Sequence, residues 1–215
     1  NVGSFTSSSP WENIHTFSIS APLRKGIGDN WNAFLIPSIR STGESGAEFN
    51  ETITGGGFTG ASYRVSDSLT IGPGIGIFSQ LEESATIFPV LIIKWDITEK
   101  LSLETGRGLA ATLGPGLTLS YMATPKLQLG VGGRYEKLRF RLDKEGPVEN
   151  GIGEDTSFPL FVTGTYSVNR KSSFSFIAGL EIGGELSVED SKGSTVIEES
   201  SDPGIFTGLT FNKRF

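Results

Sequence analysis

The sequence predicts an all-β fold: a transmembrane, antiparallel, up-and-down β-barrel built as one domain over residues 1–215. Three observations predict it. Apolar residues alternate with polar or small ones over long stretches, which in a strand separates two faces. No window holds the 18 or more uninterrupted apolar residues of a membrane helix, the nearest being 87–93. The connections also sort into two kinds that alternate along the chain, as they do when one rim of a membrane barrel takes tight turns and the other takes loops.

The alternation marks strands at 14–23, 31–41, 52–65, 69–79, 86–97, 101–110, 115–123, 127–142, 156–168, 173–188 and 204–215, with a weaker candidate at 2–8. Phe174, Phe176, Ala178, Leu180 and Ile182 form one such series, and Leu127, Leu129 and Val131 another. Helical spacing is rare, because glycine breaks most candidates. Glycine supplies 29 of 215 residues, about twice the usual share of roughly 7%. The tight connections are 66–68, 98–100, 124–126 and 169–172. The long polar ones are 42–51, 80–85, 143–155 and 189–203, with a brief link at 111–114 in a loop position.

Composition excludes several functions. With no cysteine there is no thiolate metal site, disulfide or thiol nucleophile, and one histidine excludes a His-rich metal cluster. A net charge of -6 argues against a nucleic-acid partner. The chain opens at Asn1 without a basic-apolar leader, as expected of an exported protein whose signal has been removed. Acids concentrate in the longer loops, whereas Arg24, Lys25, Lys100, Lys126, Arg170, Lys171, Lys213 and Arg214 stand on the tight-turn side.

Aromatics fall near the tight turns and the chain end, at Trp31, Tyr63, Trp95, Tyr166 and Phe215. They share faces with the apolar series, as a girdle at a membrane boundary would. The opposite face carries Arg64, Lys94, Asp96, Glu104, Arg134, Glu136, Glu181 and Glu185, with Gly72, Gly74, Gly76, Gly106, Gly130, Gly132, Gly179 and Gly183. Charge near the bilayer midplane costs several kcal/mol on the lipid face, so these eight charged residues are expected to line the lumen. Opposite charges that pair across a narrow interior would plug it. Small glycine walls would instead leave a wet passage of mixed charge, selective by size and sign, and this is the favoured expectation.

Catalysis, a metal site and a cofactor are not expected. A Ser–His mechanism would need His15 as its base, with Ser38 or Ser41 as nucleophile. The spacing carries no motif, and an interfacial histidine beside Trp11 accounts for His15 as well. Glu181 and Glu185, read on one face, stand roughly 13 Å apart in a strand, too far for a glycosidase couple. Gly72, Gly74 and Gly76 lack the helix that a dinucleotide fingerprint requires.

The last strand, Gly204 to Phe215, ends Thr210-Phe211-Asn212-Lys213-Arg214-Phe215. With its terminal phenylalanine it resembles the bacterial outer-membrane β-barrel superfamily, although Lys213 stands where an aromatic or apolar residue is usual. The stretch from Gly55 to Leu103, with Ser62-Tyr63-Arg64-Val65 and Pro89-Val90-Leu91-Ile92-Ile93-Lys94-Trp95, is similar to a group of outer-membrane proteins of unassigned function. The resemblance implies residence in a bacterial outer membrane and contact with its lipids and lipopolysaccharide. It also implies recognition of the C-terminal strand by the barrel assembly machinery. Placing Phe215 on the periplasmic side gives twelve strands, the first at 2–8, with ten strands and a loose N-terminal arm as the alternative. The expected function is a passive, porin-like channel for small solutes. A closed anchoring barrel and, behind it, a lipid-modifying enzyme using His15 are the other readings.

Overall fold

In the computed structural model, which describes residues 11–81, 85–105 and 116–213, the chain is a β-barrel. Its strands are β1 (Ile14–Ser20), β2 (Leu23–Ile27), β3 (Trp31–Glu44), β4 (Ile53–Arg64), β5 (Leu69–Phe78), β6 (Thr86–Asp96) and β7 (Leu101–Thr105). They continue with β8 (Gly116–Thr124), β9 (Leu127–Arg134), β10 (Glu136–Arg141), β11 (Ile152–Asn169), β12 (Ser172–Glu189), β13 (Thr195–Ser201) and β14 (Gly204–Lys213). The only helical turn among the described residues is the short 3-10 segment Phe49–Glu51.

Sequential strands pair antiparallel in one meander. Three breaks are local. β1 and β2 keep one register along β3, interrupted at Pro22, and β13 and β14 keep one along β12, interrupted at Pro203. Proline has no N–H to give the ladder, so the strand pauses there and resumes. β9 and β10 likewise share one register along β11, broken at Tyr135. The fourteen segments therefore make eleven arms among the described residues. Residues 2–8 lie outside them, as do 106–115 and Phe215. The arm at 14–27 is paired along β3 and is not loose.

Turn chemistry sets one rim. Ser66, Thr98, Thr124 and Asn169 each open a tight turn, and each side-chain oxygen accepts a backbone N–H two residues on, at 2.8–3.3 Å. Such side chains substitute for a missing backbone acceptor, which is why they favour turns. The other rim differs from the sequence expectation. The polar stretch 189–203 is mostly strand: β13 pairs with the far end of β12, and only a short turn at 190–194 joins them. Glu154, Asp155 and Glu189 likewise stand on strands that extend past the apolar region.

At that rim the barrel is crossed. Above Arg134 the eighth arm leaves β8, and Arg141 bridges in parallel to Gly43 of β3. This step closes a ring of nine strands, β3 to β9, β11 and β10, with β1, β2, β12, β13 and β14 attached outside it. A buried cluster of Phe140, Leu142 and Val188 forms there, with Trp11, Ile14 and Ile197 packed against it. The Trp11 and Phe140 rings meet edge-on at 4.8 Å.

The other apolar series stays uncovered. Leu91 is 54% exposed, and Ile205 and Leu209 more than 80%. Their outward face runs around the barrel through Ile75, Leu117, Val131, Leu160 and Leu180.

Candidate functional site

The inward face is not the open glycine wall that the sequence suggested. Five of the inward glycines lie opposite a phenylalanine on a neighbouring strand. Gly60 pairs with Phe34, Gly56 with Phe78, Gly76 with Phe58 and Phe88, Gly132 with Phe161, and Gly179 with Phe161 and Phe206. A methyl group at Gly60, Gly132 or Gly179 would stand 2.7–2.8 Å from a ring. These glycines are seats for the facing rings. Phe58, Phe78 and Phe88 cluster with centroids 5.0–6.2 Å apart, Phe78 and Phe88 stacked and Phe58 edge-on to both.

Between these rings lies a chamber of about 960 Å³. Phe34, Ile36, Phe58, Phe88, Val90 and Ile92 supply its apolar inner lining. Arg24, Asn32, Ser62, Thr70, Lys94 and Glu104 line its outer part. Most of that polar set lies within a few residues of a tight turn, so the chamber reaches that rim. Its inner end lies near Arg134, Tyr135 and Phe158, where β10 swings across.

The eight charged residues picked from sequence separate into groups. Lys94 and Glu104 are register partners on β6 and β7, and both line the chamber. Arg64 and Asp96 stand exposed at the tight-turn rim. Arg134 and Glu136 form an ion pair inside the barrel, and the Arg134 guanidinium lies over the rings of Phe161 and Phe206, 5.3 and 5.8 Å from their centroids. Arg134 is thus held by a carboxylate and two π faces. Glu181 shares the inward face with Ile177 and Gly179.

Glu185 does not. β12 carries an extra residue between the pairs Phe158↔Ile182 and Thr156↔Glu185, and Gly183 takes a left-handed φ of 60°. A bulge of this kind reverses the alternation, since one added residue moves every later side chain to the other face. Beyond it Leu186 and Val188 point inward and Glu185 stands exposed on the opposite face. The shared face expected of Glu181 and Glu185 is therefore corrected.

The chain matches no protein-family model, no curated protein and no solved structure.

At the crossed rim, charge holds the strands together. Arg139, with its side chain 7% exposed, bridges Glu154 at 2.5 Å and Glu189 at 2.7 Å, so one guanidinium ties β10 to β11 and β12. Arg139 also donates to the carbonyl of Leu81 at 3.3 Å. Arg141 donates to the carbonyls of Glu51 and Asn150, at 3.3 and 2.8 Å. The Glu44 carboxylate accepts the backbone N–H of Glu12 and of Asp143. Sequence reading placed most of these acids in loops and missed the cluster. Alternation of Lys137, Arg139 and Arg141 along one face was the available signal.

Trp31, Tyr63, Trp95 and Tyr166 all stand outward and part-exposed at the tight-turn rim. Trp31 packs on Tyr63 with centroids 5.0 Å apart. Tyr121, Phe174 and Phe211 extend the band, and Tyr166 pairs with Phe174, which pairs with Phe211. His15 meets neither serine considered as its partner. Its Nε2 lies 3.1 Å from Ser45 Oγ, while Ser41 is engaged with Thr52 at 2.6 Å and Ser38 lies on the inward face. Ser45 also donates to the carbonyl of Asn13, which ties the β3–β4 connection to β1. No group of His, Cys, Asp or Glu among the described residues has metal-binding geometry.

Proposed function

We propose that the protein is a transmembrane barrel of the bacterial outer membrane that passes small solutes passively. The observation that carries this reading is the sorting of side chains: large apolar residues exposed outward on arm after arm, while the inward face encloses a chamber that carries Arg24, Lys94 and Glu104. On β11 the outward series from Phe158 to Val168 covers roughly 33 Å along the strand, or about 25 Å at a tilt near 40°, the height of an outer-membrane apolar band. Water gives such a surface no reason to exist, and hydrocarbon does. The aromatic band then sits at the lipid–water boundary of the tight-turn side, which faces the periplasm, and the acidic rim faces outward towards lipopolysaccharide.

The barrel has twelve strands, and the C-terminal strand serves as the signal to the assembly machinery. The chamber lined by Arg24, Lys94 and Glu104 forms the periplasmic part of the passage, and the β10–β11 crossing narrows its outer part. Purified protein in planar bilayers is expected to give small, discrete conductance steps. A silent bilayer from correctly folded protein would favour the second reading, a closed anchoring barrel, which the Arg139–Glu154–Glu189 crosspiece supports.

A further inference from the structure

The chamber has a chemistry that a passage for small hydrophilic solutes does not need. Its inner lining is aromatic and aliphatic, through Phe34, Phe58, Phe88, Val90 and Ile92. Its outer part holds two cations, Arg24 and Lys94, against one carboxylate, Glu104. Both cations stand exposed near the tight turns and within reach of water. At about 960 Å³ the space lies in the range of small-molecule sites, which are mostly apolar with a few polar groups that fix orientation.

We infer that this chamber is a binding site for a single-chain carboxylate amphiphile, its apolar tail among the phenylalanines and its head at Arg24 and Lys94. The proposal rests on the barrel-channel reading and names the class of solute it takes up. Three physical terms favour such a ligand. Burying each CH₂ of the tail is worth about 0.8 kcal/mol. The rings already lie against their glycine seats, so little side-chain ordering remains when the tail enters. A carboxylate at the mouth gains charge-assisted hydrogen bonds from a guanidinium or an ammonium that a neutral head does not. Glu104 disfavours a second anionic group, so one carboxylate fits better than two.

The test uses the full chain in lipid nanodiscs, which avoids filling the chamber with detergent, and empty nanodiscs give the partitioning background. Decanoate and decanol are titrated calorimetrically. Wild type is expected to bind decanoate saturably, one per chain, above that background. Arg24→Glu with Lys94→Glu, two exposed changes at the mouth, is expected to weaken decanoate at least tenfold and to leave decanol within about threefold. Ser62→Trp, which fills the space behind the mouth, is expected to weaken both. Decanoate binding indistinguishable from empty nanodiscs, or unmoved by reversing the two mouth charges, would overturn the proposal. Conductance recorded on the same preparation separates the two readings. Channels without saturable decanoate binding sink the ligand assignment alone, and saturable binding in a silent barrel sinks the channel alone.

Discussion

Phe161 lies with its ring against Gly132, its register partner on β9. A methyl group at position 132 would stand 2.8 Å from the ring and 2.6 Å from the carbonyl oxygen of Leu117. Ring and backbone cannot both yield, so Gly132→Ala is expected to destabilise the barrel by about 1–3 kcal/mol. Gly164, whose nearest neighbour is a Leu129 methyl at 3.9 Å, is the control. Gly164→Ala is expected to stay within about 0.5 kcal/mol of wild type. Urea unfolding of the refolded variants, followed by tryptophan fluorescence, measures both. Equal stability of the two would mean that the rings do not depend on glycine seats.

Arg139 serves two carboxylates at once. Arg139→Met strands Glu189 as a part-buried, unpaired charge and leaves Glu154 with Lys137 alone, and breaking such a pair from one side costs about 3–5 kcal/mol. Adding Glu154→Gln and Glu189→Gln removes both carboxylates of the crosspiece, the stranded Glu189 among them, and should recover most of the loss. Hydrogen exchange over 136–157 is expected to rise in the single variant and to fall back in the triple. If the crossing narrows a passage, conductance of Arg139→Met should also exceed that of wild type.

The bulge at Gly183 gives opposite roles to two glutamates four positions apart. Glu181→Lys places a cation inside the barrel and should shift ion preference towards anions, while Glu185→Lys should leave it unchanged. Reversal potentials in a salt gradient read this directly. Gly183→Ala keeps the sequence length but puts a side chain at φ 60°, a left-handed conformation that costs about 1–2 kcal/mol. Its unfolding midpoint is expected to fall accordingly.

Asp190 opens the β12–β13 turn, and Oδ1 accepts the backbone N–H of Lys192 at 2.8 Å and of Ser194 at 2.9 Å. These bonds favour the carboxylate and hold its pKa below the ordinary aspartate value. The folded pKa lies under the unfolded one, so the contribution to turn stability is complete above the ordinary aspartate range. It is lost as pH falls through the lowered value. Carboxyl chemical shifts should give the low midpoint, and exchange of the Ser194 amide should quicken across the same interval. Asp190→Asn should remove the pH dependence.

Sequence alternation located nearly every arm because a strand with one covered face and one apolar face repeats every second residue, as Leu160, Val162 and Tyr166 do on β11. What alternation cannot report is which residues stand opposite each other. Phe161 and Gly132 are 29 positions apart, and only their register turns an apparent gap in the wall into a seat for a ring. The reversal at Gly183 escaped for a related reason, since a bulge preserves composition while it changes face. Residues 195–201 read as loop because Glu198, Glu199 and Ser200 are polar, yet they pair with β12, with Ile197 packed against the buried Phe140 cluster and Glu198 and Ser200 exposed on the other face. The ionic crosspiece joins β10 to the extended ends of β11 and β12, which read as loops from the sequence.

Leu91 and Ile92 distinguish lipid from water as the medium outside the barrel. Leu91 is 54% exposed on the outward face of β6, while Ile92 alternates to the inward face and is half-buried. Exposed leucine on a soluble barrel tolerates arginine, and the change would fall within about 0.5 kcal/mol. At the midplane of a bilayer the same Leu91→Arg costs about 2–4 kcal/mol, and the cost shrinks towards either boundary. A series along β6 at Ile87, Leu91 and Trp95 therefore predicts a peak in destabilisation at Leu91 and smaller losses on both sides. Reversible unfolding from lipid vesicles measures it. A flat profile, with the protein monodisperse in buffer free of detergent, would place the apolar face in water and remove the bilayer from the account.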